Sequence, residues 1–324
     1  MTGDARYARP PVETNAAGNI RSVGFEIEFG GLSARDAASS LAAAFEGELR
    51  SEDPRAWTVT GTPAGDLVVK LDTRFGHENL AEADGIAEAA RVAAGAAYAA
   101  AASPIIPAEV VTAPIPIDRL CSLEDVVDVL GRAGARGART GAIRPMALHV
   151  NPEAPRLDAD AVTAALQAFV LLEPFLWSFT DPALIRSALG YCDPFPPDYA
   201  RRLVAPGYRP CLHVLIDDYI DANPTRYRDL DALPLLAFLD EGQVRARLPR
   251  EKIGRRPTFH YRLPDCRIDD ANWSPARAWN AWVLVERLAA NDALLDESRR
   301  AFLAHDGRSW PRFSHRLAHA LAYD

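Results

Sequence analysis

The segment Val23-Gly24-Phe25-Glu26-Ile27-Glu28-Phe29 alternates strictly, with apolar residues at the odd positions and Glu26 and Glu28 between them. Successive side chains of an extended chain point to opposite faces, so the pattern gives one apolar face and sets two carboxylates together on the other. The pattern recurs. Leu67, Val69 and Leu71 oppose Asp66, Lys70 and Asp72; Leu148 and Val150 flank His149, with Asn151 next on its polar face; Phe259, Tyr261 and Leu263 alternate with Thr258, His260 and Arg262. Glu109, Val110 and Val111 predict a fifth strand. An ordinary antiparallel sheet with one wet face alternates in the same way. Paired Glu, Asp, Lys, His beside Asn, and Arg are also the residue types that bind metal and phosphate. On the strands alone, both readings stand.

Between these segments the period changes to that of a helix. Ser33 with Asp36 forms a capping-box-like start, and Ala37, Leu41, Phe45 and Leu49 make an apolar stripe, predicting a helix from Ser33 to Leu49. Further helices are expected at Asn79 to Ala102, Leu123 to Arg132, Asp160 to Phe179, Leu212 to Asp221 and Pro275 to Ala290, with two short ones after Asn291. Trp273, Trp279 and Trp282 lie at near-helical spacing and read as core. The alanine-rich stretch Ala87 to Ala102 carries Glu88 and Arg91 and reads as a packed helix, not a membrane span.

The first twenty residues mix Pro, Gly, Asn and charges without an apolar run, so a mobile tail outside the fold is expected there, with no signal peptide. Residues 21–324 are then expected to form a single domain with a helical C-terminal part. Cys121, Cys192, Cys211 and Cys266 form no CxxC pair, which fits reduced thiols in a cytoplasm. A net charge of -8 argues against a general nucleic-acid binder. Gly131, Gly134, Gly137 and Gly141, interleaved with Arg132, Arg136 and Arg139, read either as a mobile lid over an anionic ligand or as a solvated connection. No P-loop or dinucleotide fingerprint is present.

From Gly24-Phe25-Glu26-Ile27-Glu28-Phe29 onward the sequence resembles the amidoligases, a family grouped with the glutamine synthetase and glutamate-cysteine ligase fold. The family order continues with a Trp-led strand, an aspartate-bearing strand, a Glu-x-Val-Ser/Thr-x-Pro element, a His-Val-x motif and a late aromatic/Glu-x-Arg strand. This chain offers Trp57, Asp66, Glu109-Val110-Val111-Thr112-Ala113-Pro114, Leu148-His149-Val150-Asn151 and Phe259-His260-Tyr261-Arg262, in that order, from about Arg21 to Asp269. The resemblance implies an α+β fold: an antiparallel sheet with an acidic catalytic face, flanked by helices, like the catalytic domain of glutamine synthetase.

It also implies an ATP- and Mg²⁺-dependent ligase that joins a small-molecule or peptide carboxylate to an amine through an acyl phosphate; the composition adds the expectation of a cytoplasmic protein without nucleic acid or membrane partners. Glu26, Glu28 and Glu109 are the expected metal ligands. His260 stands where the family usually has Glu, and either removes a ligand or coordinates in its place. Arg262 and Lys70 are expected to hold phosphoryl or carboxylate groups. His149 reads as a metal contact, a substrate-orienting group or a satisfied strand histidine, and Asp66 as a ligand or a turn residue. Two other functions fit the same residues: a nucleotide- or peptide-binding protein that has lost the chemistry, and a metal-dependent amide hydrolase, although HExxH is absent.

Overall fold

A computed structural model describes residues 7–53, 55–71, 107–138, 146–180, 192–305 and 309–323. The chain divides into two compact units. The first comprises Gly24–His149 and Asp265–Pro275, the second Tyr7–Val23, Val150–Pro264 and Ala276–Asp324. Strands are mostly antiparallel and helices accompany them in both units, so the chain is α+β. The expected helix at Asn79 to Ala102, Asp72, Arg139 and Gly141 lie outside the described residues.

The first unit is built on β1 (Ser22–Phe29), α1 (Ala34–Phe45), β2 (Glu48–Asp53), β3 (Ala56–Thr62), β4 (Gly65–Leu71), β5 (Ala108–Thr112), β6 (Ile115–Pro116) and α2 (Ser122–Ala133), and ends at the start of β7 (Leu148–Pro152). Five strands pair antiparallel in the order β2-β3-β4-β5-β1. Their apolar faces meet the predicted alternation: Phe25, Ile27, Phe29, Leu67, Val69 and Val110 have no exposed surface. Each such side chain contributes roughly 1.5–3 kcal/mol by burial. Helix α1 packs on β3, β4 and α2, burying Ala34, Ala37, Ala38 and Leu41.

Helix α1 begins as the sequence predicts, with Ser33 as N-cap accepting from Asp36 N–H at 3.1 Å. It ends four residues early. Glu46 takes a left-handed conformation with φ 52°, and a Cβ on Gly47 would stand 2.4 Å from Thr60 O, so the chain turns sharply and crosses close to β3. Leu49, expected on the helical stripe, therefore belongs to β2 and is exposed.

The second unit contains α3 (Ala159–Thr180), α4 (Pro197–Leu203), α5 (Leu212–Ala222), β8 (Leu230–Asp231), α6 (Leu233–Leu239), α7 (Glu241–Arg247), β9 (His260–Tyr261), α8 (Pro275–Ala289), α9 (Asp292–Ala304) and α10 (Trp310–Tyr323). The helices expected at 123, 160, 212 and 275 are present to within one or two residues at most ends. The two after Asn291 are not short, spanning 13 and 14 residues. Three seven-residue helices, α4, α6 and α7, have too few turns to show a periodic stripe and were not anticipated. Helix α3 is the one described helix long and apolar enough to cross a membrane, but most of that span is buried inside the protein against α9 and α10. Trp279 and Trp282 are core, as expected, while Trp273 is half-buried.

Residues 7–20 correct the expectation of a tail. Ala8 N–H donates to Asn280 Oδ1 at 2.7 Å and Ala8 O accepts from Trp279 Nε1 at 2.8 Å. Asn15 Nδ2 donates to Glu153 Oε1 at 2.8 Å, and Thr14 bridges to Ile20. Arg21 follows with 1 % exposure, paired with Glu286 at 2.6 Å and donating to Val12 O and Glu153 O. A Pro-rich, polar composition here marks a strap held by side-chain hydrogen bonds.

Candidate functional site

In the first unit, strands β4, β5 and β1 run side by side, with Lys70 opposite Glu109 and Glu109 opposite Glu28. Directly opposed residues share a face, so these three make a row across the sheet, and Glu26 lies two residues along β1 on the same face. Lys70 Nζ is 2.9 Å from Glu109 Oε1; the lysine is 42 % exposed and the glutamate nearly buried. The ammonium offsets the repulsion that Glu109 and Glu28 would otherwise exert on each other. Asp66, beside the Gly65 turn, is exposed.

Residues 147–149 run along the other side of β1. Glu28 N–H donates to Ala147 O at 3.0 Å, and Ala147 N–H donates to Glu28 Oε2 at 2.9 Å. This double contact fixes the Glu28 carboxylate and brings His149, 1 % exposed, level with both glutamates. His149 Nδ1 is 3.0 Å from Glu26 Oε2, and Nε2 is 3.7 Å from Glu28 Oε1. With its proton on Nδ1, assigned from this geometry, the ring donates to Glu26 and turns the Nε2 lone pair toward a carboxylate oxygen.

Two acceptors facing one another at that separation suit a cation between them. Adjacent ligand atoms around a divalent ion, each bonded at about 2.1 Å, stand roughly 3.0–3.6 Å apart. A second proton on His149 would fill the same gap. The donor set of carboxylate oxygens with one imidazole fits a hard divalent cation such as Mg²⁺ or Mn²⁺. Three expected residues, Glu26, Glu28 and His149, are thus brought into contact, and Glu109 and Lys70 adjoin them as an ion pair.

In the second unit, β9 pairs with β8 so that His260 stands opposite Asp231. His260 and Arg262 are each 3 % exposed, so the reading of an ordinary wet sheet face does not hold here. Arg262 Nη1 lies 3.5 Å from His260 Nε2, and its guanidinium sits 5.7 Å from the centre of the Tyr227 ring. Burial pushes the Asp231 carboxyl up to about 6, against the opposing pull of Arg262, Arg226 and Arg256. Asp231 Oδ1 accepts from Leu233 N–H at 2.9 Å. Strand periodicity misses Asp231, because a two-residue strand leaves no alternation to read; its one signal is an acidic residue inside the apolar run 230–237.

The glycine-arginine loop is tied down as far as residue 138. Gly134 caps α2 with φ 103°, Gly30 and Arg136 exchange backbone hydrogen bonds, and Gly137 N–H donates to Asp269 Oδ1 at 2.9 Å. The lid reading therefore fails for residues 131–138. Gly137 has a packing reason to be glycine, since a Cβ would meet Cys266 O at 2.6 Å.

The first unit thus defines a class: an antiparallel sheet presenting a carboxylate–histidine cluster able to hold a divalent cation. Over residues 19–284 the chain matches the family described as "Putative amidoligase enzyme", and it belongs to that family. No curated protein matches it.

Proposed function

We propose that the protein is an ATP- and Mg²⁺-dependent carboxylate-amine ligase, with a small-molecule or peptide carboxylate and an amine as substrates. The observation that carries this reading is the clasp of His149 on Glu26 and Glu28, on a sheet of a chain that belongs to the amidoligases. A bound Mg²⁺ would neutralise triphosphate charge and orient the terminal phosphoryl group. Glu28 and His149 Nε2 would hold it, with Glu26 fixing the ring through Nδ1 and Glu109 kept close by Lys70. Lys70, part-exposed beside this cluster, would meet a phosphate as a compact charge; Arg262, whose planar fork suits a phosphoryl or carboxylate group, enters on motif order. His260 enters this proposal on motif order alone.

Amide formation in water is uphill, so the substrate carboxylate oxygen attacks the γ-phosphorus of ATP, ADP leaves, and an acyl phosphate forms. The amine nitrogen then attacks the acyl carbon, losing a proton as inorganic phosphate departs. The test is hydroxylamine trapping over a panel of amino acids and short peptides. Hydroxamate and ADP in equal amounts, dependent on Mg²⁺ and on Glu28, are expected. Mg²⁺·ATP binding without hydroxamate on any carboxylate would favour a binding protein, and metal-dependent amide cleavage indifferent to ATP would favour a hydrolase.

A further inference from the structure

The second unit holds a cavity of about 450 Å³ walled by α3, α8, α9 and the strap before β1. That volume is within the range of sites for small organic ligands. Phe259 lines it, and Phe259 and His260 are consecutive residues of an extended segment, so the cavity opens on the face away from His260 and Arg262. Its walls are apolar at Pro11, Val12, Ala164 and Leu295, with the buried rings of Phe259 and Trp282 behind them.

Most polar groups of the wall are already engaged. Glu286 is held by Arg21 and Trp282 Nε1, and Arg299 by Asp296 and the Val204 and Ala205 carbonyls. Arg156 is held by Asp158. Gln167 is different. It is 3 % exposed, and its Nε2 donates to Leu203 O at 2.7 Å and Tyr208 O at 3.5 Å, which fixes the amide orientation. Among the described residues its Oε1 takes no donor, so the cavity wall carries a side-chain acceptor open to an N–H. One turn earlier on the same face of α3, Thr163 Oγ1 also has no partner, and Asp160 stands at the mouth. Asp292 joins Asp160 there, and the exposed Arg209 has no ion-pair partner among the described residues.

We propose that this cavity binds an α-amino acid with a large apolar side chain: its ammonium on Gln167 Oε1, its carboxylate on Arg209, its side chain along Pro11, Leu295 and Trp282. A peptide amino terminus shares the ammonium and side-chain chemistry but lacks the adjacent carboxylate. The proposal does not depend on the ligase reading, because it rests on a different face and different residues.

The test is calorimetric titration of the full chain with L-phenylalanine, phenethylamine, 3-phenylpropionate and Phe-Gly. Binding of L-phenylalanine is expected, with 3-phenylpropionate at least about tenfold weaker because it brings no N–H to Gln167 Oε1. Arg209→Ala, at an exposed position that leaves packing intact, should weaken L-phenylalanine about tenfold and leave phenethylamine unchanged. Gln167→Leu should weaken both. Phe-Gly binding more tightly than L-phenylalanine would assign the site to a peptide terminus and overturn the carboxylate contact. No heat from any ligand at about 10 mM, or Arg209→Ala binding L-phenylalanine as the parent does, would overturn the proposal.

Discussion

His149 links Glu26 and Glu28 through its two ring nitrogens, at 3.0 Å and 3.7 Å, although it lies 123 positions from Glu26 in the chain. The strand pairing of Glu28 with Ala147 makes this possible, since it brings the ring level with both carboxylates. The clasp holds two like charges on one strand face.

Glu28→Gln keeps an oxygen to accept from Ala147 N–H and removes one negative charge. Its Mn²⁺ affinity, by calorimetry, should fall at least about tenfold, or about 1.4 kcal/mol, with the melting temperature of the metal-free protein unchanged or slightly raised. Unchanged affinity would remove Glu28 from the ligand set.

Lys70→Met should cost less than about 1 kcal/mol in urea unfolding, because a part-exposed ion pair is screened by water. Nucleotide affinity should nevertheless drop several-fold. A stability loss with intact nucleotide binding would make Lys70 a structural partner of Glu109 alone.

The period-two pattern made the apolar faces of β1 and β4 and the shared direction of Glu26 and Glu28 readable, because side-chain alternation follows from the extended backbone itself. Ser33 as a helix start was equally readable, since a cap is a local hydrogen bond. The end of that helix was not: Leu49 continues the stripe, and only the crossing of Gly47 over Thr60 breaks it. The clasp of His149 depends on strand register between distant segments, which no local pattern encodes. Residues 7–20 looked like a tail because their contacts are side-chain hydrogen bonds to remote partners and not a buried apolar stripe.

The Arg21–Glu286 pair is buried on both sides, at 1 % and 6 % exposure. Arg21→Met should destabilise by about 3–5 kcal/mol, because it leaves Glu286 charged and uncompensated in a dry site. Adding Glu286→Leu should recover much of that loss, and thermal unfolding of the single and double variants checks it. A single variant as stable as the parent would show that water reaches Glu286.

Stability should fall as pH rises through neutrality. Burial pushes Asp229 up to about 7, and burial together with the Asp229 charge holds Glu173 well above the usual carboxylate range. A carboxyl whose folded pKa exceeds its unfolded value binds its proton more tightly in the folded state. Its stabilisation is complete below roughly pH 4 and is lost as pH climbs through the folded value. Gln at position 173 mimics the protonated acid, donating to Asp229 and accepting from Phe195 N–H. Glu173→Gln should therefore gain on the parent by on the order of 1–2 kcal/mol between pH 5 and 9, measured by denaturant unfolding across that range. Parallel pH profiles would show that the pair does not share a proton.

The most direct test of a metal- and nucleotide-dependent site on this sheet is calorimetric titration of the metal-stripped protein with a non-hydrolysable ATP analogue, with and without Mg²⁺, in the parent and in Glu26→Gln. Binding that requires Mg²⁺ and is lost in the variant is the predicted result. Binding that is absent under every metal condition, or that is equal in parent and variant, would contradict it.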